Sequence, residues 1–536
     1  MKIADALAAT LKAYGAQWAF GIPGNDVLET VRACEEAGIG FVLGKSEPSC
    51  AFMADAVYQL TGKPAVLIPA LGPGISNAMS GIAGAMQERS AIAVLCGEMA
   101  SNRMGIYNHQ VFDHVALARP VTKYAENLNP KRAAQQMAKA LDIALAYPAG
   151  PVFLNVPSDF NREDAAKEEP RGPAQRAVTM LSVHSADKLR GRLSAAKRPL
   201  ALVGRGALIG ETPAAFRKFA ESWKLPFFTT YKAKGIVEES HGLSLGSVGL
   251  SPVVDAENLA LIKEADCLVL VGFDPIELRD AWLDAWPQTL TVICIDWAAL
   301  NHRIFPVGEE ALGDVPAILG QLAPQAPPKG EWKPASFADL RAKVAHIVRP
   351  RTSAKGISPA ALFHAVSAQA KDDWIMTVDV GAHRILANHV VQCRVPGQLM
   401  QSNGLGCMGY AVPAAIAAQL VHPEKPVVAM LGDGCMLMTQ GELALAAERE
   451  LPIVVVVLND AALALIKLKQ SKMNMSPRAT DFKSPDFAKI AEGFGAKGVR
   501  VETIEAFGKA LAEAVASRRF TLIDAQVDPS EYWEQM

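Results

Sequence analysis

The sequence predicts an α/β protein made of three doubly wound parallel-sheet domains. Three observations lead there. Short apolar runs alternate with helix-length stretches along the whole chain. A chain of 536 residues is too long for one core, and the usual domain size points to about three. Two Pro-rich stretches, Glu168–Pro173 (EEPRGP) and Ala323–Pro334 (APQAPPKGEWKP), read as linkers between the thirds. Domains are therefore expected at 1–168, 185–323 and 355–536.

Taken in order, Met1–Gly15 places Ile3, Leu7, Leu11 and Tyr14 at helical spacing. It lacks the unbroken apolar core of a signal peptide. Strands are expected at Trp18–Gly21, Ala65–Ile68, Ile92–Leu95 and Val152–Asn155 in the first third. The middle third offers Leu200–Val203, Cys267–Val271 and Thr291–Ile295; the last offers Ile375–Val378, Val427–Leu431, Ile453–Leu458 and Thr521–Ile523. Gly204-Arg205-Gly206 follows a strand, but it lacks a full G-x-G-x-x-G and the acidic residue that should end a second strand about 20 residues on. It reads as a structural turn in a domain that keeps the shape of a former cofactor site.

Composition excludes several classes. Half the residues are apolar and 20% charged, as in ordinary globular α/β proteins. A formal net charge of −2 leaves no footprint for nucleic acid. No apolar run approaches the 18 or so residues of a membrane span. The eight cysteines form no CxxC pair and sit largely in apolar runs, so they read as buried free thiols in a reducing compartment. A cytoplasmic protein is expected.

The most specific pattern lies in the last third. The run ending at Leu431 meets Gly432-Asp433-Gly434; about two dozen residues later the next run ends at Asn459-Asp460. Either element alone is an ordinary turn or cap. Together, joined by one helix, they make a βαβ unit with both carboxylates at the carboxyl edge of a parallel sheet, where α/β proteins bind ligands. Glycines beside Asp433 allow close approach of a phosphate, and hard oxygen ligands suit Mg²⁺ bridging phosphates.

This segment resembles the signature of thiamine diphosphate (ThDP) enzymes. The resemblance extends to seven ordered blocks: GIPGN (Gly21–Asn25), Ser46–Val66, GPGISN (Gly72–Asn77), His109–Ala125, GFDPIELRDAW (Gly272–Trp282), NGLGCMGYAVPAA (Asn403–Ala415) and the Gly432–Asp460 signature. The pattern is similar to acetolactate synthases, particularly the FAD-independent catabolic type. It implies pyrimidine-binding, central and diphosphate-binding domains in that order, with ThDP and Mg²⁺ as cofactors and FAD not expected.

By the same resemblance Asp433, Asp460 and the carbonyl of Ala462 hold the metal; many relatives carry Asn at the second of these positions. Glu47 is the catalytic carboxyl that activates the aminopyrimidine, a role for which burial among Cys50, Phe52 and Met53 would raise its pKa. Ser46 stands where many relatives have His. Gln110 reaches the reacting carbonyl, preceded by His109. Asn25, after Gly24, stands where pyruvate decarboxylases carry Asp; an amide donates a hydrogen bond but is no acid. Met408 props the cofactor into its V shape. Gly381 and His383 belong to a diphosphate loop, and Gly24, Asn77, Gly434 and Cys435 complete the cofactor's surroundings. Leu465 and Ile466 shape a substrate pocket, with Lys469 where biosynthetic acetolactate synthases have Trp and available to an anionic second substrate.

The implied reaction is decarboxylation of a small, pyruvate-like 2-oxo acid with carboligation of the enamine to a carbonyl acceptor. Alternatives are a non-ligating 2-oxo acid decarboxylase, a C–C lyase or hydrolase of an acyloin or diketone, and a catalytically dead homologue. The resemblance further implies a homodimer or homotetramer with the active site at the subunit interface.

Overall fold

The computed structural model describes residues 1–536 except 167–169, 175–176, 284–285, 288, 301–305, 326–329 and 354. Parts of both expected linkers, 168–169 and 326–329, thus lie outside the described residues. Three six-stranded sheets follow one another along the chain, and every strand pairing within them is parallel.

The first sheet comprises β1 (Trp18–Ile22), β2 (Gly40–Leu43), β3 (Ala65–Pro69), β4 (Ile92–Glu98), β5 (Tyr124–Asn127) and β6 (Val152–Pro157), in the order 2-1-3-4-6-5. The second comprises β7 (Pro199–Val203), β8 (Phe227–Thr230), β9 (Ser244–Val248), β10 (Cys267–Val271), β11 (Thr291–Asp296) and β12 (Glu309–Leu312). Its order, 12-11-10-7-8-9, is the doubly wound order of dinucleotide-binding folds. The third comprises β13 (Ile375–Val378), β14 (Leu399–Gln401), β15 (Val427–Gly432), β16 (Val454–Asn459), β17 (Lys497–Val501) and β18 (Thr521–Gln526). Its order, 14-13-15-16-18-17, repeats that of the first sheet strand for strand.

Every strand expected from an apolar run is present, and the largest differences are at the ends of β4 and β18, which run on to Glu98 and Gln526. The strands that carried no such signal are β8 and the two edge strands of each sheet: β2, β5, β9, β12, β14 and β17. An edge strand is covered on fewer sides, so a sequence such as Lys-Gly-Val-Arg-Val in β17 suffices, whereas β15 and β16 are buried almost throughout and read as continuous apolar runs. The N-terminal helix spans Ile3–Ala13 and buries Ile3, Leu7 and Leu11.

The first and third domains pack face to face. The helix Glu47–Thr61 lies against Ala411–Val421, with Phe52 and Tyr410 in an edge-on contact 5.8 Å between centroids. One continuous apolar core runs through both domains at this junction. At the meeting point of all three domains, the buried Glu88 carboxylate pairs with Lys232 of the central domain and accepts from Asn403 and Gly404 N–H of the third. Among the described residues no helix is long and apolar enough to cross a membrane. All eight cysteines are unpaired, and all but Cys407 are buried.

Candidate active site

β15 and β16 run side by side and deliver Asp433 and Asp460 to the same sheet edge. β15 continues through Gly432 and a helix starts at once, at Asp433, so no separate Gly-Asp-Gly turn intervenes. The single helix expected between the two elements is divided into Asp433–Thr439 and Glu442–Glu448. The break at Gln440-Gly441 turns Glu442 toward the first domain, where its carboxylate accepts from Lys45 N and Ser46 N, both at 3.0 Å.

Asp433 is buried, accepting from Gly434 N and Ala461 N at 2.7 Å each. Asp460 accepts from Ala462 N at 3.1 Å. Burial pushes the Asp433 pKa up to about 6. Burial and the neighbouring Asp433 charge push Asp460 up to about 8. Two carboxylates at one sheet edge, each with its proton held on by burial, form a donor set suited to a hard divalent cation.

The rest of the cavity collects around this pair. Its lining includes Gly381, His383, Met408, Cys435, Leu465 and Ile466, all from the C-terminal third. The helix Ala382–Val390 begins here, so the N–H groups of its first turn face the space beside Asp433, the arrangement that attracts phosphate. His383 is buried against Gly381 and Gly432; a Cβ on Gly381 would lie 2.5 Å from its ring. Burial and Arg384 lower its pKa to about 3, so the ring is neutral, and its Nε2 has no hydrogen-bond partner among the described residues. A Cβ on Gly434 would sit 3.0 Å from Leu463 Cδ2 and 3.5 Å from Met408 Cε, so only glycine lets these side chains close over the Asp433 turn. Lys469 is exposed on the helix Ala464–Lys472 and does not line the cavity, whereas Leu465 and Ile466 do.

The residues expected in the first domain gather at the carboxyl edge of the first sheet. Glu47 opens the helix Glu47–Thr61 and accepts from Asn77 Nδ2 at 3.3 Å. It is half-buried, not enclosed as the apolar residues after it had suggested. Those residues, Cys50 and Met53, point into the core behind it. Gln110 lies in an exposed loop with φ of 61°, touching Gly72, where a Cβ would meet Gln110 Cβ at 2.8 Å. His109 and Asn25 are exposed, and Gly24 is half-buried. None of these first-domain residues lines the Asp433 cavity of its own chain.

Two supporting groups lie outside the expected set. Asp379, fully buried just beyond β13, accepts from Gly409 N and Ala411 N at 2.9 Å each and so fixes the loop that presents Met408. A charged residue at the end of a buried strand was the available clue. In the first domain Glu98 and Asn155 hold His114 Nδ1 at 3.1 and 3.2 Å, and His114 Nε2 accepts from Gly72 N at 3.2 Å. That chain positions the Gly72–Gln110 contact, and its members are too far apart in sequence to be read together.

Family models agree with this architecture. "Thiamine pyrophosphate enzyme, N-terminal TPP binding domain" matches residues 1–117, the central domain of the same enzymes matches 186–322, and the C-terminal TPP binding domain matches 379–525. The chain is 30% identical to the acetolactate synthase of Bacillus subtilis (strain 168), over 96% of this chain and 91% of that one. It is 30% identical to acetolactate synthase isozyme 1 large subunit of Escherichia coli (strain K12), over 97% and 93%. It is 29% identical to the catabolic acetolactate synthase of Raoultella terrigena, over 96% and 92%.

Proposed function

The chain belongs to the thiamine pyrophosphate enzyme family, and from that membership we propose that it carries out an acetolactate synthase-type reaction. It is a ThDP-dependent enzyme similar to acetolactate synthases. The proposed substrates are a small 2-oxo acid of pyruvate type and a second carbonyl compound, joined after loss of CO₂. The observation that carries the reading is the enclosed Asp433–Asp460 pair beside the first turn of the helix Ala382–Val390.

Bound ThDP supplies an electron sink for the pair released when CO₂ leaves. Asp433, Asp460 and the Ala462 carbonyl would hold Mg²⁺, and the N–H groups following Gly381 would take the diphosphate. Met408, fixed through Asp379 and the Gly409 turn, presents an apolar wall to the cofactor. Glu47 holds and releases a proton at its carboxyl group, oriented by Asn77. Gln110 donates to the reacting carbonyl, and Asn25, being no acid, disfavours protonation that would end the sequence at an aldehyde. Leu465 and Ile466 shape the acceptor side. Lys469, exposed in the single chain, would meet an anionic acceptor only at a subunit boundary.

We read the working unit as a homodimer or larger, with Glu47 and Asp433 of each site on different chains. Supporting this, exposed apolar side chains flank both half-sites: Ile106, Tyr107 and Phe112 near Gln110, and Met438, Ile466 and Met473 near the Asp433 cavity.

Packing in the central domain supports a reading without flavin. At the carboxyl edge of its sheet, Gly206 N donates to Gly272 O at 2.8 Å, and a Cβ on Gly206 would lie 2.7 Å from the Tyr147 hydroxyl. The carboxylates of Asp274, Glu277 and Asp296 are buried there, and Arg89 is spent on Asp274 at 2.7 Å. The close approach that the glycines allow is used by protein.

The test is incubation of purified protein with pyruvate, ThDP and Mg²⁺, with product identification. Acetolactate is expected. Free acetaldehyde would replace ligation by simple decarboxylation, and absence of turnover would remove pyruvate as donor.

A further inference from the structure

Between the central and C-terminal domains lies an open cleft of about 650 Å³ that shares no lining residue with the Asp433 cavity. Its size is that of small-molecule sites, which run from about 300 to 1,000 Å³. One wall is β9 with the helix Pro252–Ile262; the helix Pro334–Ile347 lies above; the helix Pro359–Gln369 and the last turn of Ala382–Val390 form the other wall.

Polar groups at its walls are left without partners. Asn258 is 1% exposed, and its carboxamide oxygen has no hydrogen-bond partner among the described residues; the same holds for Nε2 of His389 across the cleft. Burial and Lys234 hold the His389 pKa down to about 3, so this ring is a neutral donor or acceptor.

The charge of the cleft is positive. Its carboxylate, Glu239, is already met by Lys234 at 2.6 Å and by Cys393 N at 2.6 Å. Among the described residues Arg341 bonds only to the Gly242 and Ser244 carbonyls, and Arg394 faces exposed Asp372 at 3.4 Å. The lining also includes apolar Leu245, Val254 and Val348.

We propose that this cleft is an effector site for a small organic anion, a carboxylate or phosphate ester on an apolar body. The anionic group meets Arg341 and Arg394, the apolar body covers Leu245 and Val254, and a polar substituent meets Asn258 and His389. The occupant rests on the last turn of the helix whose first turn, from Gly381, lines the Asp433 cavity. Binding at one end of this helix and cofactor at the other are then linked, and the linkage is reciprocal. The proposal does not depend on which reaction the enzyme performs.

Calorimetry with 4-phenylbutanoate, phenyl phosphate and neutral 4-phenylbutan-1-ol tests it, on full-length protein with and without ThDP and Mg²⁺. One site per chain is expected for at least one anion, with the alcohol at least tenfold weaker; the better anion separates a carboxylate from a phosphate site. Ala345→Trp and Ala368→Trp fill the cleft from exposed helical positions, so folding is retained, and should abolish binding. Arg394→Gln should weaken it about tenfold, equivalent to 1.4 kcal/mol. ThDP affinity should change at least fivefold when the anion is present. No binding of either anion, or binding that both tryptophan variants leave intact, overturns the site. Binding with unchanged ThDP affinity overturns the effector role.

Discussion

Asp433 and Asp460 show how burial changes two ordinary carboxylates. Each keeps its proton beyond the usual range because its charge is poorly solvated, and Asp460 also feels Asp433. Asp433→Ala removes one of the two carboxylates proposed to hold the metal, so apparent ThDP affinity at fixed Mg²⁺ should fall at least 100-fold in a calorimetric titration. An unchanged affinity would place the metal elsewhere. Glu277 offers a separate check on buried charge. Burial and Asp274 push its pKa up to about 8, from an ordinary value of 4.5. The folded protein therefore holds a proton that the unfolded chain releases near pH 4.5. Stability is unaffected below that value, declines as pH rises, and has lost its full share above about pH 8. Glu277→Gln imitates the protonated form and should remove this slope. A gain of about 1–3 kcal/mol is expected at pH 8 and none at pH 5, read from thermal unfolding at the two values. A variant that tracks the parent at both would mean that Glu277 is ionised in the fold. At this scale the sequence named the carboxylates through their spacing after apolar runs, but not the supporting Asp379 and Glu442. Their partners lie 30 or more residues away and are met only through folding.

At the scale of elements, the cavity depends on how strand ends and helix starts coincide. β15 passes directly into a helix at Asp433, β13 reaches one at Ala382 after a short turn, and the loop carrying Met408 is tied to that turn through Asp379. Gly409 is the critical joint. Its φ is 87°, and a Cβ there would lie 2.6 Å from Thr439 Cγ2. Gly409→Ala should cost about 1–3 kcal/mol of local strain, shift Met408, and weaken ThDP binding roughly tenfold by the same energetic scale, with the far-ultraviolet spectrum unchanged. Retained affinity would show that the loop accommodates the methyl group. Central strands were legible because burial on both faces demands unbroken apolar runs. Edge strands and the break at Gln440-Gly441 were not, because partner geometry decides them and intrinsic preference does not.

For the whole molecule, one chain presents two separate groups of candidate site residues. Glu47, Asn77 and Gln110 edge the first sheet; Asp433, Asp460 and Met408 edge the third; and the cavity of the second group contains none of the first. If each site takes one half from either chain, mixing Glu47→Gln with Asp433→Ala protein, each nearly inactive alone, should restore activity. Random re-pairing of dimers predicts about a quarter of the parent value. No recovery after verified exchange of subunits would place both halves on one chain. The three domains are fastened by Glu88, whose partner Lys232 has a side chain only 6% exposed. Glu88→Ala strands that ammonium and should cost about 3–5 kcal/mol, whereas Glu88→Gln, which keeps an acceptor for Asn403 and Gly404, should cost less. The sequence by itself determined the three α/β domains, the cofactor family and the carboxylates of the signature, because apolar periodicity and a strand-end motif are local properties of the chain. Tertiary structure alone decided that Glu47 is half-buried beside Asn77, that Lys469 stands outside the cavity, and that the central crevice is filled by protein. Those outcomes depend on side chains brought together from distant positions, where burial and charge are set by neighbours that no local pattern specifies.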